Sequence, residues 1–200
     1  MSNRPYLSPL RSAAAAEKRK AVLDAATDLL RQKNIAQFSL DAVAKAAGVT
    51  RLTVYNQFGS RRGLFEAVLD ELAQRGRLLR LPAALEAKDP AAALDALIEI
   101  FCDFWAGDSA LGRLHDAIAL DAEFGEVLQA RSELRRQALT ALLKRMGFKQ
   151  TAAAREAVDL IYTMTSCAFY RSMAATQSDA AVRKVIKTVA AETLHRLKPA

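Results

Sequence analysis

The sequence predicts an all-α protein of about nine helices, and three observations support this fold class. Apolar residues recur at the spacing of one helix face, first at Val22, Ala25, Ala26 and Leu29. No proline lies between residues 91 and 198, so none interrupts a helix in that long stretch. No segment shows the strict apolar–polar alternation that indicates a half-buried strand.

Residues 39–58 read SLDAVAKAAGVTRLTVYNQF and predict two short helices joined at one glycine. Ser39 is a favourable N-cap for the first helix, and Thr50 is one for the second. Gly48 can adopt a positive φ, which turns the chain sharply after the first helix. This pattern predicts a helix-turn-helix, whose second helix commonly lies in the DNA major groove, although two core helices with a glycine turn would read the same way. The positions predicted to be exposed on the second helix are Arg51, Thr53, Asn56 and Gln57.

The positive charge of the chain is confined to the part that contains this motif. Residues 1–80 hold 14 Lys and Arg against 7 Asp and Glu, whereas residues 81–200 hold 15 of each. The whole formal net charge of +7 therefore comes from the first 80 residues. A basic excess of this kind indicates a polyanionic partner such as double-stranded DNA.

Residues Glu17 to Leu72 resemble the TetR (tetracycline-repressor) family of bacterial transcription regulators. The resemblance lies in SLDAVAKAAGVTRLTVYNQFGSRRGLFEAVL, where LTVYNQF matches the family's recognition helix and GSRRGLFEAV matches the start of its fourth helix. Leu52 departs from the glycine, alanine or proline that is usual at its position, and Gln57 departs from the common histidine. We expect both departures to alter base choice rather than the fold.

The helix-turn-helix and the resemblance together predict a DNA-binding surface. Arg51 and Gln57 are predicted to read base edges, and Leu52 to contact a thymine methyl group or a sugar. Phosphate contacts are predicted for Thr53, Tyr55, Ser60 and Arg61. Arg61 lies near the start of a helix whose free N–H groups also favour a phosphate. The complete predicted set is Ser39, Thr50, Arg51, Leu52, Thr53, Tyr55, Asn56, Gln57, Ser60 and Arg61.

Proline positions and the resemblance divide the chain into four predicted parts. Residues 1–16 contain two prolines and two arginines and predict a flexible basic arm, which either reaches DNA or has no role. Residues 17–62 form the predicted DNA-binding domain. Residues 63–81 form a connecting helix that ends before Pro82, and residues 82–200 form a domain for ligand binding and dimerisation.

Other classes of protein find little support in the sequence. Cys102 and Cys167 are far apart and outside any C-x-x-C pattern, so neither a disulfide nor a metal site is predicted. No apolar run reaches the roughly 18 residues of a membrane helix, and no secretory signal is evident. Catalytic motifs are absent, so we expect no enzyme activity and no cofactor. A reduced, cytoplasmic location is the expectation.

The second half predicts helices over residues 91–106, 109–119, 123–146, 151–175 and 179–197. The last two carry apolar stripes and small residues that suit a four-helix bundle with a second copy, and the resemblance implies dimerisation through the same helices. Burial against the chain's own core is the alternative. The predicted dimer interface comprises Ile161, Thr165, Phe169, Val182, Val185, Ile186, Val189 and Thr193.

Aromatic residues in the same half predict a pocket for a small apolar or aromatic effector. Large rings mixed with a few polar groups are typical of ligand pockets, and the resemblance implies an effector site among these helices. For any single residue, plain core packing is the alternative, and His115 could bind a ligand or cap a local carbonyl. The predicted pocket comprises Phe101, Phe104, Trp105, Leu111, Leu114, His115, Ile118, Phe124, Met164, Cys167 and Tyr170.

We therefore expect a homodimeric transcription regulator, a repressor that a small apolar effector releases from a palindromic operator. One alternative is a DNA-binding module without a small-molecule switch, either constitutive or gated by a protein partner. A helical enzyme with a pocket in the second half is the other alternative. The sequence identifies neither the effector nor the operator.

Overall fold

A computed structural model describes residues 9–32, 37–108, 110–112, 115 and 122–197, and this part of the chain is helical with no strand. The all-α prediction is therefore confirmed. Helices α1 to α4 are followed by a short 3-10 turn and by α5 to α10. Their bounds are α1 Pro9–Gln32, α2 Leu40–Ala46, α3 Arg51–Phe58, α4 Arg61–Arg75, the 3-10 turn Leu78–Arg80, α5 Leu81–Leu85, α6 Pro90–Gly107, α7 Ala122–Arg145, α8 Ala152–Met164, α9 Cys167–Ala174 and α10 Asp179–Arg196.

The chain divides into two compact units, one up to Glu71 and one from Leu72 onward. The division falls inside α4, within the segment 63–81 that the sequence assigns to a connecting helix. Helix α1 already begins at Pro9, so the prediction of a flexible arm up to residue 16 is wrong for residues 9–16. Residues 1–8 of that arm lie outside the described part of the chain.

The core of the first unit forms from one apolar face of each of its helices. Val22 and Ala26 of α1 are fully buried, as the helical spacing predicts. Phe38 and Phe65 pack edge to face with ring centroids 6.4 Å apart. Burial of this kind stabilises short helices such as α2 and α3, which are too short to be stable in isolation.

Helix α4 ends earlier than the sequence predicts, and a close approach just after its end requires the glycine at position 76. A Cβ atom added there would lie 2.4 Å from Cδ2 of Phe104, so only glycine fits without a shift. Arg77 follows in the left-handed conformation with φ 59°, which ends the helix at Arg75. Pro82 does not interrupt α4 but lies in the first turn of α5, where its missing N–H is not needed.

The second unit packs α6 against α7 and α10, and α8 against α7 and α10. The helix predicted over 151–175 is instead two helices, because the chain breaks at Thr165 and Ser166. The Thr165 hydroxyl donates to the Ile161 carbonyl at 2.9 Å, and Ser166 begins α9 as its N-cap. Most of the helix predicted over 109–119 lies outside the described residues. No described helix is long and apolar enough to cross a membrane.

Candidate functional sites

The turn between α2 and α3 has the geometry of a helix-turn-helix. The Ser39 side chain accepts the N–H of Ala42 at 3.1 Å and caps α2, as predicted. Gly48 has φ +65°, and Val49 N donates to the Ala44 carbonyl at 3.0 Å, which closes the end of the helix. The predicted turn is therefore confirmed, and α3 begins three residues after Gly48.

Helix α3 begins with a capped N-terminus at Thr50. The Thr50 side chain accepts the N–H of Thr53 at 3.1 Å, and the two hydroxyls lie 2.9 Å apart. The predicted cap is confirmed, but Thr53 is half-buried rather than exposed. This pair fixes the first turn of α3, whose remaining N–H groups could donate hydrogen bonds to a phosphate oxygen.

The exposed face of α3 carries two large apolar side chains. Leu52 is 65% exposed and Tyr55 is 55% exposed, and they lie one helical turn apart. Arg51 and Asn56 are also exposed, as the sequence predicts. Arg51 Nε lies 3.6 Å from Oδ2 of Asp41, and both side chains are exposed, so this ion pair holds Arg51 only weakly. The face is therefore open to an incoming partner.

Gln57 does not share that exposed face, which corrects the sequence prediction. It is half-buried, and its Oε1 is buried without a hydrogen-bond partner among the described residues. Its position three residues after the buried Val54 and beside the buried Phe58 explains this, since residues at that spacing lie on neighbouring faces. In this conformation Gln57 offers less of its side chain to a partner than the exposed Arg51 and Asn56 do.

Ser60 and Arg61 connect the motif to the start of α4. The Ser60 hydroxyl accepts the N–H of Gly63 at 2.9 Å. Arg61 Nε donates to the Phe38 carbonyl at 2.9 Å, and the side chain is half-buried. The Arg61 guanidinium therefore links the segment before α2 to the start of α4. The sequence did not indicate this structural role.

Arg19 of α1 is a further basic residue at this surface that the sequence analysis missed. Its guanidinium carbon lies 4.5 Å from the centroid of the Phe58 ring, and its Nη1 donates to the Gln57 carbonyl at 3.4 Å. The contact places an exposed cation at the C-terminal end of α3. Nothing in the helical spacing of α1 distinguishes Arg19 from its basic neighbours Lys18 and Lys20.

In the second unit, most of the predicted pocket residues are buried. The indole N–H of Trp105 donates to the Thr165 carbonyl at 2.9 Å. The centroid of the Trp105 ring lies 4.7 Å from that of Phe104 and 6.2 Å from that of Phe101. His115 is half-buried. Leu114 and Ile118 lie outside the described residues. The buried members are Phe101, Phe104, Leu111, Phe124, Met164, Cys167 and Tyr170.

Arg135 of α7 is a buried cation that the sequence analysis did not single out. It is only 5% exposed, and its guanidinium carbon lies 5.0 Å from the Phe101 ring and 4.5 Å from the Tyr162 ring. Burial lowers the pKa of Arg135 to about 10. The burial of Arg135 is hard to predict from the sequence, because Arg135 and Arg136 are adjacent and only the fold decides which of them points inward.

Tyr170 and Cys102 have polar atoms that burial keeps neutral. The Tyr170 hydroxyl donates to Oδ1 of Asp179 at 2.5 Å, and burial and this bond both raise the pKa of Tyr170. Burial also raises the pKa of the Cys102 thiol to about 11, so the thiol is a weak nucleophile at neutral pH. Both side chains therefore act as packing groups rather than as acids or nucleophiles.

Four residues of the predicted dimer interface are buried inside the subunit, so the prediction is wrong for them. Ile161, Val182 and Ile186 are 0% exposed and Thr165 is 1% exposed, which leaves no surface for a second copy. Ile161, Val182 and Ile186 lie on the inner faces of their helices, and the Thr165 hydroxyl donates to the Ile161 carbonyl. Phe169, Val185, Val189 and Thr193 are half-exposed, and Leu160 of α8 is 41% exposed.

Two open grooves are lined by none of Phe101, Phe104 and Trp105, the three residues of the aromatic cluster. One, of about 740 Å³, lies between α7 and α8 and is lined in part by Leu143, Phe148 and Val158. The other, of about 920 Å³, is charged and lies beside α10, where Arg183 and Lys187 bind Glu99 of α6. Within the described residues, no group of three His, Cys, Asp or Glu side chains could hold a metal ion.

A family model described as bacterial regulatory proteins of the tetR family matches residues 22–68 of the chain. This range contains α2, α3 and the start of α4, together with most of the surface described above. The transcriptional regulator AlkX of Mycobacterium tuberculosis is 45% identical over 67 residues, which are 34% of this chain and 32% of that protein. The chain thus spans about a third of that relative.

Two further similarities extend over most of the chain. The transcriptional regulator EthR of Mycolicibacterium smegmatis is 27% identical over 184 residues, covering 86% of this chain and 82% of that protein. The crystal structure of NalD, the secondary repressor of the MexAB-OprM multidrug efflux pump in Pseudomonas aeruginosa, superposes with a TM-score of 0.70. The superposition covers 90% of this chain and 97% of that one at 18% identity, which supports the fold alone.

Proposed function

We propose, because this chain belongs to the tetR family of bacterial regulatory proteins, that it binds a near-palindromic operator as a homodimer and represses transcription until a small apolar effector binds. The observation that carries the proposal is the exposed face of α3. Leu52 and Tyr55 are large apolar groups left in water one turn apart, beside the exposed Arg51. A surface of this kind favours a partner that covers it.

The chemistry of α3 fits the DNA major groove. Arg51 can take a guanine through two hydrogen bonds, and Leu52 can contact a thymine methyl group. Tyr55 can donate its hydroxyl to a phosphate, which fixes the position of the helix but carries no sequence information. The excess of +7 in the first 80 residues attracts the phosphate backbone. We assign Gln57 no contact with bases.

The test of DNA binding is its dependence on salt and sequence. The full-length protein is used to select binding sites from random DNA, and the affinity for the selected site is measured at several salt concentrations. With about six to ten phosphate contacts, affinity would fall ~10³–10⁵-fold between 50 and 200 mM salt. Failure to enrich any sequence, or an affinity that salt leaves unchanged, would contradict the proposal.

A dimer through α8 and α10 is consistent with their outward faces. These helices pack side by side, and Leu160, Val185 and Val189 keep part of their apolar surface exposed. A two-fold axis would bring the same helices of a second copy against them and form a four-helix arrangement. Two recognition helices related by that axis require half-sites about one or more helical turns apart.

Helix α4 offers a physical route for an effector response, since it continues through the boundary between the two units. An effector bound in the second unit would move α4 and change the spacing of the two recognition helices. The ligand can do so only if it binds the DNA-competent and released states with unequal affinity. A typical coupling of ~1–3 kcal/mol would change operator affinity about 5- to 150-fold.

The buried aromatic cluster also supports a second function, a regulator without a small-molecule switch. Phe101, Phe104 and Tyr170 are at most 7% exposed, which is what a filled core requires. Trp105 distinguishes the two functions, because it is the only tryptophan and lies against Phe104. An apolar compound that changes Trp105 emission and weakens operator binding supports the switch, whereas compounds that change emission alone favour the second function.

A further inference from the structure

Arg135 has no carboxylate partner among the residues that the structure describes, although a buried arginine normally has one. Among the described residues, its Nη2 donates to the Tyr162 carbonyl over a long 3.4 Å, and its buried Nε has no acceptor. The neighbouring Arg136 is different, since it is half-exposed and pairs with Asp159 and Glu133. These two adjacent arginines therefore differ, since Arg136 is paired with carboxylates and Arg135 is not.

The surroundings of Arg135 compensate its charge only in part. The Phe101 and Tyr162 rings face the guanidinium at 5.0 and 4.5 Å, and such rings attract a cation. Rings accept no strong N–H hydrogen bond, however, and a buried charge without a counter-charge is unfavourable. Desolvation is the largest cause of the lowered pKa of Arg135, ahead of the contributions from Tyr162 that raise it. The site thus has an unmet preference for an anion.

We propose that Arg135 binds the carboxylate of an acidic effector whose apolar body lies against the aromatic cluster of Phe101, Phe104 and Trp105. This proposal rests on the effector response proposed above and narrows its chemistry. A guanidinium matches a carboxylate through two parallel hydrogen bonds, one of which can use the vacant Nε–H. A singly charged carboxylate also balances one guanidinium, whereas a doubly charged phosphate would leave a buried negative charge.

The first experiment compares acids with neutral compounds of the same shape. The probes are 1-naphthoate, octanoate and dodecanoate, each paired with its primary amide, and binding is followed by Trp105 emission and by calorimetry on the full-length protein. We expect at least one acid to bind about 10- to 100-fold more tightly than its amide, because hydrogen bonds to charged groups are the stronger ones. If every acid and amide pair binds equally, or if only amides bind, the proposal fails.

Substitutions then assign the preference to Arg135. Arg135→Met keeps the length and apolar stem of the side chain and should abolish the acid preference while preserving binding of the amide. Arg136→Met is the matched control, since Arg136 also contacts the Tyr162 ring, at 4.1 Å, but is half-exposed and paired with carboxylates. It should leave the preference unchanged. An acid preference that survives Arg135→Met would overturn the proposal.

A third variant keeps the test valid if Arg135→Met does not fold. Arg135→Lys retains the charge but loses the planar fork, so it should keep part of the acid preference and lower it about tenfold. Unchanged acid affinity in Arg135→Lys would contradict the proposed paired hydrogen bonds. The comparison of acids with amides on the wild-type protein remains the primary result, whether or not Arg135→Met folds.

Operator binding separates this proposal from the function on which it rests. If the acid binds through Arg135 but operator affinity is unchanged, the carboxylate site stands and the switch is wrong. If neutral apolar compounds release the operator and acids do not, the switch stands and the carboxylate site is wrong. Phosphate esters of the same apolar bodies are included, and tighter binding of the ester than of the acid would also contradict the proposal.

Discussion

Single positions on α3 show how well the exposure of a residue can be predicted from its place in the helical spacing. Leu52, Tyr55 and Asn56 are exposed as the spacing predicts, and Gln57 is half-buried beside Phe58. The difference is one of angle, since successive residues of a helix are 100° apart and Gln57 lies at the edge of the buried stripe. The exposure of a residue at such an edge depends on what packs nearby, and here Arg19 of α1 lies over the neighbouring Phe58 ring and donates to the Gln57 backbone carbonyl.

Arg51 and Tyr55 should have different effects on DNA binding. Arg51→Ala should relax base preference at one position of each half-site and cost ~1–3 kcal/mol of binding free energy per contact. Tyr55→Phe should weaken all sequences about equally, because its hydroxyl is assigned to phosphate. Site selection from random DNA with each variant measures both effects.

Stability is the control for both substitutions. The Arg51–Asp41 pair is exposed on both sides, so Arg51→Ala should change the free energy of unfolding by less than about 1 kcal/mol. An altered base preference in Tyr55→Phe would show that the phosphate assignment is wrong. An unaltered preference in Arg51→Ala would remove that residue from base reading.

At the scale of helices, side-chain caps determine where most of the short elements begin. Ser39, Thr50, Thr151, Ser166 and Ser178 each accept a backbone N–H at the start of a helix. Ser166 shows the strength of this signal, since a cap at that position is compatible with a new helix only if the preceding one ends. The structure has that break at Thr165, where the sequence alone suggested one continuous helix.

Substitutions at Thr50 should separate the stability of α3 from DNA binding. Thr50→Ala removes the cap and should lower the free energy of unfolding by ~0.5–2 kcal/mol. Thr50→Asp restores a cap and should recover stability, but its negative charge at the helix start should weaken DNA binding. Thermal unfolding and DNA titration measure the two effects. Equal DNA affinity for Thr50→Asp and wild type would mean that no phosphate approaches this helix start.

Charged side chains between α6 and α10 should make the stability of the second unit depend on pH. Glu99 binds Lys187 at 2.8 Å and Arg183 at 2.9 Å, and the hydrogen bond from Lys187 is the largest cause of a lowered pKa of Glu99. A carboxylate with a lowered folded pKa stabilises the fold above its unfolded pKa, near 4.5, and loses that contribution as pH falls through the folded value.

Glu99→Gln should therefore flatten the decrease of stability below about pH 4.5 while lowering stability at neutral pH. Chemical unfolding of wild type and variant between pH 3 and 7 measures the difference. Glu86→Gln is the control, since Glu86 is exposed outside these ion pairs and should leave the pH profile unchanged. A profile for Glu99→Gln that parallels wild type would exclude Glu99 as the source of the acid sensitivity.

At the scale of the whole molecule, the correction to the dimer interface changes how the dimer should be tested. Ile186 is 0% exposed within one subunit, so a charge at that position would unfold the subunit whether or not it dimerises. Leu160→Asp is a better test, because Leu160 is 41% exposed on α8. It should leave the subunit folded and abolish the dimer at micromolar concentration.

Leu134→Asp is the matched control for that test, since Leu134 is 64% exposed but lies on α7. Light scattering and size exclusion of the three proteins give the molecular mass. If Leu160→Asp remains dimeric, the interface does not include α8, and if Leu134→Asp becomes monomeric, it includes α7 instead.

The sequence by itself determined the helical fold, the helix-turn-helix and the basic surface, whereas the tertiary structure decided which side chains face inward. Ser39, Gly48 and Thr50 act through the backbone of their own segment, so their effects can be read locally. Ile186, Gln57 and Arg135 depend on neighbours from other helices, and the same helical stripe can face a core or a second copy. Caps and turns are local chemistry, but burial is set by packing between segments that are distant in sequence.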